Sequence, residues 1–252
     1  MNEQILRHCF EIDHCNQRGG RMLSVVDLIE AGTMNTELAA YALAAVGRGA
    51  SFLVGASPGG AGKTTVMGAL LNFVPSDVEL APADSLATIE RASSVGTPRQ
   101  CYICHEIGAG SYYAYLWGEE LRAYFDLPRS RHMLATNLHA DTFEEARSQI
   151  CGDNGVNEIA LRQMNLMFFL SVRNAGRDYK RRIEEVWESD GNVPHRLVFK
   201  AGDGASRAER SVLVSKQDLV KAQRIIDQLC ERGVRTIEKV RAFIVEADES
   251  SA

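Results

Sequence analysis

The 252-residue sequence predicts an α/β fold, a mainly parallel sheet flanked by helices, and three observations carry that reading. Short apolar segments (Phe52-Leu-Val-Gly55, Cys101-Tyr-Ile-Cys104, His132-Met-Leu-Ala-Thr136) alternate with helix-length stretches, as parallel strands with helical crossovers require. A glycine-rich loop joins the first of these segments to a helix. The composition is that of an ordinary globular chain, 45% hydrophobic and 24% charged. Its length suffices for one sizeable core plus an appendage without disulfide or metal staples.

The elements follow in order. Residues 1–21 read as a short N-terminal segment ending at Arg18-Gly-Gly-Arg21. Two helices come next, Val25–Glu30 and Glu37–Val46, the second capped by Thr36 and stopped by Gly47 and Gly49. Ser51–Gly55 is a buried strand, and the glycine-rich loop after it opens a helix at Gly62. A strand near Val78–Leu80, a turn at Ala81–Ser85, an extended piece Leu86–Glu90 and a loop Arg91–Gln100 lead to the strand Cys101–Cys104. Tyr112–Phe125 has the length and apolar spacing of a helix; the strand His132–Thr136 and a helix Thr142–Ile150 follow. Leu166–Val172 and Arg181–Trp187 form a small antiparallel extension about the turn Asn174-Ala-Gly-Arg-Asp178, continued by His195–Lys200 and Ser211–Val214. Two C-terminal helices end the fold: Leu219, Ala222, Ile226 and Leu229 share a face before Gly233, and Thr236 caps a second with Val240 and Ile244 inward. The organisation is therefore a core domain at 22–214, C-terminal helices at 215–246 and a disordered tail at 247–252.

Composition also excludes. No apolar run approaches the ~20 residues of a membrane span, and the N-terminus lacks the pattern of a secretory signal. The six cysteines are accordingly expected to be reduced, in a cytoplasmic setting. A net charge of −5 argues against nucleic-acid binding driven by counterion release.

The chemistry concentrates in Ser57-Pro58-Gly59-Gly60-Ala61-Gly62-Lys63-Thr64-Thr65, which matches the P-loop pattern except that Ser57 stands where glycine is expected. Small residues let consecutive backbone N–H groups close around a phosphate, and the helix N-terminus adds its positive end. Lys63 then offers a charge to β- and γ-phosphates, and Thr64 a hydroxyl to Mg²⁺. A Cβ at Ser57 is expected to alter the loop path. A nucleotide hydrolase also needs an acid at a neighbouring strand end. Glu106 fits, as a group that polarises water or holds Mg²⁺ through water; Glu90 is the second candidate. His139, just beyond the strand ending at Thr136, is placed to hydrogen-bond a γ-phosphate and report its loss.

The cysteines and histidines carry other patterns. Cys101-x-x-Cys104 with His105 has redox, zinc and haem-like spacing, but residues three apart on a strand face opposite ways, so buried thiols are the reading. His8, Cys9, His14 and Cys15 are compact enough in sequence to hold zinc, in no familiar finger pattern.

Together these segments resemble the motor domain of the secretion-superfamily ATPases, nearest the branch that powers type IV secretion and Tad-type pilus assembly. The resemblance runs over residues 22–246 as an ordered series: Ser24–Thr33, Thr36–Val46, Phe52–Gly55, Gly62-Lys-Thr-Thr65, Thr88-Ile-Glu90, His105-Glu-Ile107, Ala135–Asp141 with Glu144–Arg147, Arg181–Val186 and Arg232–Arg241. It implies a RecA-like P-loop NTPase fold, ATP and Mg²⁺ as ligands, and a homo-oligomer, a hexameric ring. It further implies ATP hydrolysis driving a membrane secretion or pilus platform protein from the inner face of the membrane. By the same resemblance Glu106 takes the Walker B position, His139 the His box and Glu90 the acidic box. The chain departs from the family's pattern in having about twenty residues before the match, where members carry a large N-terminal domain. It also keeps only Arg91–Gln100 where members have an arginine-bearing insertion, and it carries His105 in place of glycine. An arginine finger is worth 10³–10⁵ in rate, so slow turnover is expected unless Arg91 or Arg99 substitutes. The competing expectation is a weakly hydrolysing, nucleotide-dependent binding or scaffold module; a DNA-handling ATPase is disfavoured by charge.

Overall fold

The computed structural model describes residues 2–16, 19–94, 96–175, 178–203 and 211–249. Before the sheet come α1 (Glu3–His14), α2 (Val25–Glu30) and α3 (Thr36–Gly47). Then β1 (Phe52–Gly55), α4 (Lys63–Leu71), β2 (Glu79–Pro82), α5 (Leu86–Ala92), β3 (Gln100–Ile107), β4 (Tyr115–Leu116), α6 (Glu119–Asp126) and β5 (Met133–Leu138) follow. The chain continues through α7 (Phe143–Arg147), a π-helical turn at Ser148–Asp153, α8 (Glu158–Leu161), β6 (Leu166–Ala175), β7 (Asp178–Glu188) and β8 (Arg196–Lys200). It ends in α9 (Lys216–Glu231) and α10 (Ile237–Glu249).

Among the described residues eight strands form one sheet, in the order β2-β3-β5-β1-β6-β7-β8 with β4 paired to β3. The pairs β2–β3, β3–β5, β5–β1 and β1–β6 are parallel; β6–β7 and β7–β8 are antiparallel. The fold is thus the expected mainly parallel α/β sheet, in a RecA-like order with one strand, β5, between the glycine-loop strand and β3. Alternation sorts side chains onto two cores. Phe52, Val54, Phe168 and Leu170 face one built with α1 to α4, α9 and α10; Leu53, Met167 and Phe169 face one built with α5 to α8. Cys101 lies in the first core and Cys104 in the second, as their spacing predicts. Among the described residues no helix is long and apolar enough to cross a membrane.

Several local expectations are corrected. Residues 3–14 form a helix that buries Ile5, Cys9 and Ile12 against the first core. Asn35, whose side chain accepts from Leu38 N, caps α3; Thr36 is already helical. Leu86–Glu90 is helical: Ser85 caps it, and Ile89 and Ala92, three apart, are its buried face. Tyr112–Phe125 is broken, because Ala114 and Gly118 both take positive φ, and α6 starts only at Glu119. Strand β3 runs on to Ile107, so His105 and Glu106 lie within it. Ser211–Val214 forms no strand. It is held by Glu188, whose carboxylate accepts from Ser211 Oγ and Val212 N and also from Tyr41 and Arg196. Helix α10 continues to Glu249, past the expected end at 246; the remainder of the expected disordered tail, like the centre of the Asn174–Asp178 turn, lies outside the described residues.

Candidate functional site

The glycine-rich loop leaves β1 and ends in α4, and its backbone explains its glycines. Gly60 and Gly62 sit at φ of +83° and +96°, where a Cβ is costly. Ser57 does not take a positive φ, so its backbone makes no demand for glycine. Instead it is pinned from the end of β5: its N–H donates to Asp141 Oδ1 at 2.6 Å, and its carbonyl accepts from His139 Nδ1 at 2.9 Å. Gly62 is the N-cap of α4 and makes no side-chain cap bond, so the positive end of the helix is presented at the loop.

Three predicted groups converge behind this loop. Lys63 Nζ, buried, donates to Ala56 O at 3.2 Å and lies 3.6 Å from Glu106 Oε2. Because His139 Nδ1–H is spent on Ser57 O, its Nε2 is the acceptor for Lys63 Nζ at 3.3 Å, and it stands 3.8 Å from Glu106 Oε2. Glu106 Oε1 is buried and has no hydrogen-bond partner among the described residues. Burial pushes the Glu106 carboxyl above its ordinary range, while the Lys63 charge pulls it back. A carboxylate with a raised pKa and one idle oxygen is suited to take a proton from water. The His139 carbonyl is itself held by Gln149 Nε2 at 2.7 Å, which fixes the turn that carries the ring.

Of the loop, Gly59 to Gly62 line one cleft of about 400 Å³ together with Lys63, Thr64, Thr65, Glu106 and His139, while Ser57 and Pro58 lie outside the lining. Its other wall is largely apolar: Leu23, Leu28, Ala31 and Leu170, with the exposed Tyr179. Ile183 N donates to Thr33 O at 2.8 Å, tying the end of α2 to β7 behind the cleft. Two tyrosines and an arginine are among the lining residues that the sequence patterns do not single out. Tyr115 pairs with Glu106 across β3 and β4, and Tyr179 and Arg181 come from β7. The signal for the last two, an aromatic and an arginine two apart on one strand face, acquires meaning only when β7 is placed beside the loop.

Glu90 is not brought to this cleft. It stands exposed on α5, and the acid following β2 is Asp84, which accepts from Thr88 Oγ1 at 2.8 Å and Ser85 Oγ at 3.2 Å. The proposed arginine substitutes also lie outside the lining: Arg91 donates to Thr88 Oγ1, and Arg99 to Arg131 O while packing on Gly49. Around α1 the metal-like residues diverge. His8 bonds Leu71 O, Cys15 bonds Glu11 O, and the His14 ring packs edge-on against Phe10. Among the described residues no group of three or more His, Cys, Asp or Glu is arranged to hold a metal. All six cysteines are free thiols.

No protein-family model matches the chain, and no curated protein does. Among solved structures it is similar to the VirB11 ATPase from the Brucella suis type IV secretion system in complex with sulphate, at 18% identity and a TM-score of 0.43, over 58% of this chain and 50% of that one. It is also similar to the Legionella pneumophila ATPase DotB, at 12% identity and a TM-score of 0.40, over 92% of this chain and 60% of that one. The chain thus spans about half the length of the first and 60% of the second.

Proposed function

We propose that the cleft binds ATP with Mg²⁺ and hydrolyses it. The observation that carries the reading is the convergence of Lys63, Glu106 and His139 within 4 Å of one another at the open N-terminus of α4. Backbone amides of the glycine loop and of the first turn of α4 supply a cradle for an anion. Lys63 provides the charge for its outer phosphates, and the apolar wall from Leu23 to Tyr179 accepts the base. The donor set also suits a hard cation: Thr64 offers a hydroxyl, and the idle Glu106 Oε1 is a carboxylate oxygen awaiting water or metal-bound water. Mg²⁺, when bound, would neutralise charge on the phosphates. Glu106 takes a proton from the attacking water, and Lys63 stabilises the charge that develops on the outer phosphates. His139 holds Ser57 and so couples the loop to the end of β5, a link that a change at the outer phosphate would disturb.

On this reading, and on the ordered motif resemblance, the protein is the ATP-driven motor of a secretion or pilus machine. It works as a homo-oligomer, a hexamer, on a membrane platform protein at the cytoplasmic face, without nucleic acid. A second reading, a nucleotide-gated binding module with slow turnover, is favoured by Arg91 and Arg99 being engaged away from the cleft. The deciding experiment is ATP turnover beside sedimentation with and without nucleotide. A motor gives turnover per subunit that rises with protein concentration as oligomers form, lost in Lys63→Ala. A gated module gives tight ATP binding with negligible turnover, and absence of ATP binding refutes both.

A further inference from the structure

One cation of the cleft has no role in the reading above. Arg181 extends from β7, and its Nε donates to Gly60 O at 3.2 Å. Its stem lies against Gly62, where an added Cβ would come within 3.1 Å of Arg181 Cδ. The residue is exposed and shares the cleft with Tyr179, two positions earlier on the same strand face.

The sheet order sets which part of a nucleotide Arg181 meets. The loop leaves β1 between β5 and β6. On the β5 side stand His139 and Glu106, the groups of the outer phosphate and the attacking water. On the β6 side stand Leu170, Tyr179 and Arg181, next to the apolar wall. Arg181 therefore reaches the loop from the nucleoside side. Resting on the nucleotide reading of the cleft, we propose that Arg181 is a clamp in cis for the α- and β-phosphates, a positioning residue for the part shared by ATP and ADP. Its planar guanidinium carries five donors. One already reaches Gly60 O, a neutral carbonyl, and a phosphate oxygen is the stronger, charged acceptor. Bonding both at once fixes the loop and the phosphates to the antiparallel hairpin. This role differs from that of an arginine finger, which acts on the γ-phosphoryl group during transfer.

The test uses fluorescent analogues of ATP and ADP with the whole chain, wild type, Arg181→Gln, Arg181→Lys and Lys63→Ala. Arg181→Gln is expected to bind both nucleotides roughly tenfold to a hundredfold more weakly, by the same factor. Turnover at saturating ATP should stay within about threefold, so that KM and not kcat carries the loss. Affinity should also fall less steeply with salt than in the wild type, because one charge contact is gone. Arg181→Lys keeps the charge and recovers part of the affinity. Undiminished ADP affinity in Arg181→Gln, or a loss confined to ATP, overturns the clamp. So does an unchanged salt dependence or no recovery in Arg181→Lys, since either reduces Arg181 to a brace for the loop. Failure of the nucleotide reading itself looks different: the wild type then binds neither analogue.

Discussion

Helix α4 has two unlike ends, and the contrast separates what serves function from what serves folding. Its N-terminus opens at Gly62 with positive φ and no side-chain cap, beneath a loop that lines the cleft. Its C-terminus is sealed. His8 Nε2 donates to Leu71 O at 2.9 Å, and the buried Arg241 donates to Asn72 O at 3.0 Å, to Val74 O and to Pro75 O at 3.2 Å. Both helix ends leave backbone groups without intrahelical partners. At one end the chain supplies partners from its first and last helices, and a cation there also meets the negative end of the helix dipole. At the other end Gly62 makes no side-chain cap bond, and the helix N-terminus faces the cleft, where an anionic ligand would meet it. The end without a side-chain cap is the one that faces the cleft, and that is where chemistry is to be expected.

Changes at the open end should erase activity and leave the fold. Lys63→Ala is expected to abolish detectable nucleotide binding and turnover with an unchanged melting temperature. Glu106→Gln should lower turnover about 10²- to 10⁴-fold while ATP binding persists. The acid limb of the wild-type pH–rate profile should lie above the ordinary glutamate range, since burial raises that carboxyl, and turnover falls as Glu106 gains its proton. A full-rate Glu106→Gln enzyme, or a limb at an ordinary carboxylate pKa, would remove Glu106 from the mechanism.

The sealed end should behave in the opposite way. Arg241→Leu strands three carbonyls in the interior and is expected to cost about 3 kcal/mol, a fall in melting temperature of about 6–12 °C for a chain of this size. Nucleotide affinity of the folded fraction should change little. Equal losses of affinity and stability would mean that the two ends are coupled through α4.

His8 gives a smaller, pH-dependent effect at the same end. Burial and then the Arg241 charge lower its pKa to about 3. Between pH 6.5 and 3 the unfolded chain therefore takes up a proton that the folded chain refuses, and stability falls as pH falls through 6.5. From pH 7 to pH 5 this costs about 2 kcal/mol. In His8→Gln the slope of stability against pH over that window should be visibly shallower than in the wild type, by chemical denaturation. An unchanged slope would place His8 in water. The smallest effect is expected at Glu90, exposed on α5 and outside the cleft: Glu90→Gln should alter turnover less than twofold, and a large loss would show that α5 joins the site in an assembly.

Much of the open end was legible in the sequence because its chemistry is local. A phosphate loop needs glycines, a lysine and a threonine at consecutive positions, so Ser57–Thr65 announces itself, and apolar runs locate β1, β3 and β5. Glu90 falls outside the cleft for the opposite reason. Thr88-Ile-Glu90 reads as extended by motif and composition, but Ser85 caps a helix there, and a capping bond outweighs the weak β preference of a three-residue run. The aromatic-rich stretch before α6 misled in the same way, since only the positive φ at Ala114 and Gly118 reveals where the helix cannot begin.

The sequence by itself determined the α/β class, the loop and its lysine, and the carboxylate and imidazole that could serve it, because each rests on residues near one another in the chain. Tertiary structure alone decided that β7 lays Arg181 across the loop and that β5 pins Ser57. It also decided that helices from the two ends of the chain seal α4. Those contacts join residues that are from 63 to 169 positions apart. Their geometry follows from strand order and packing, which no local pattern of residues encodes.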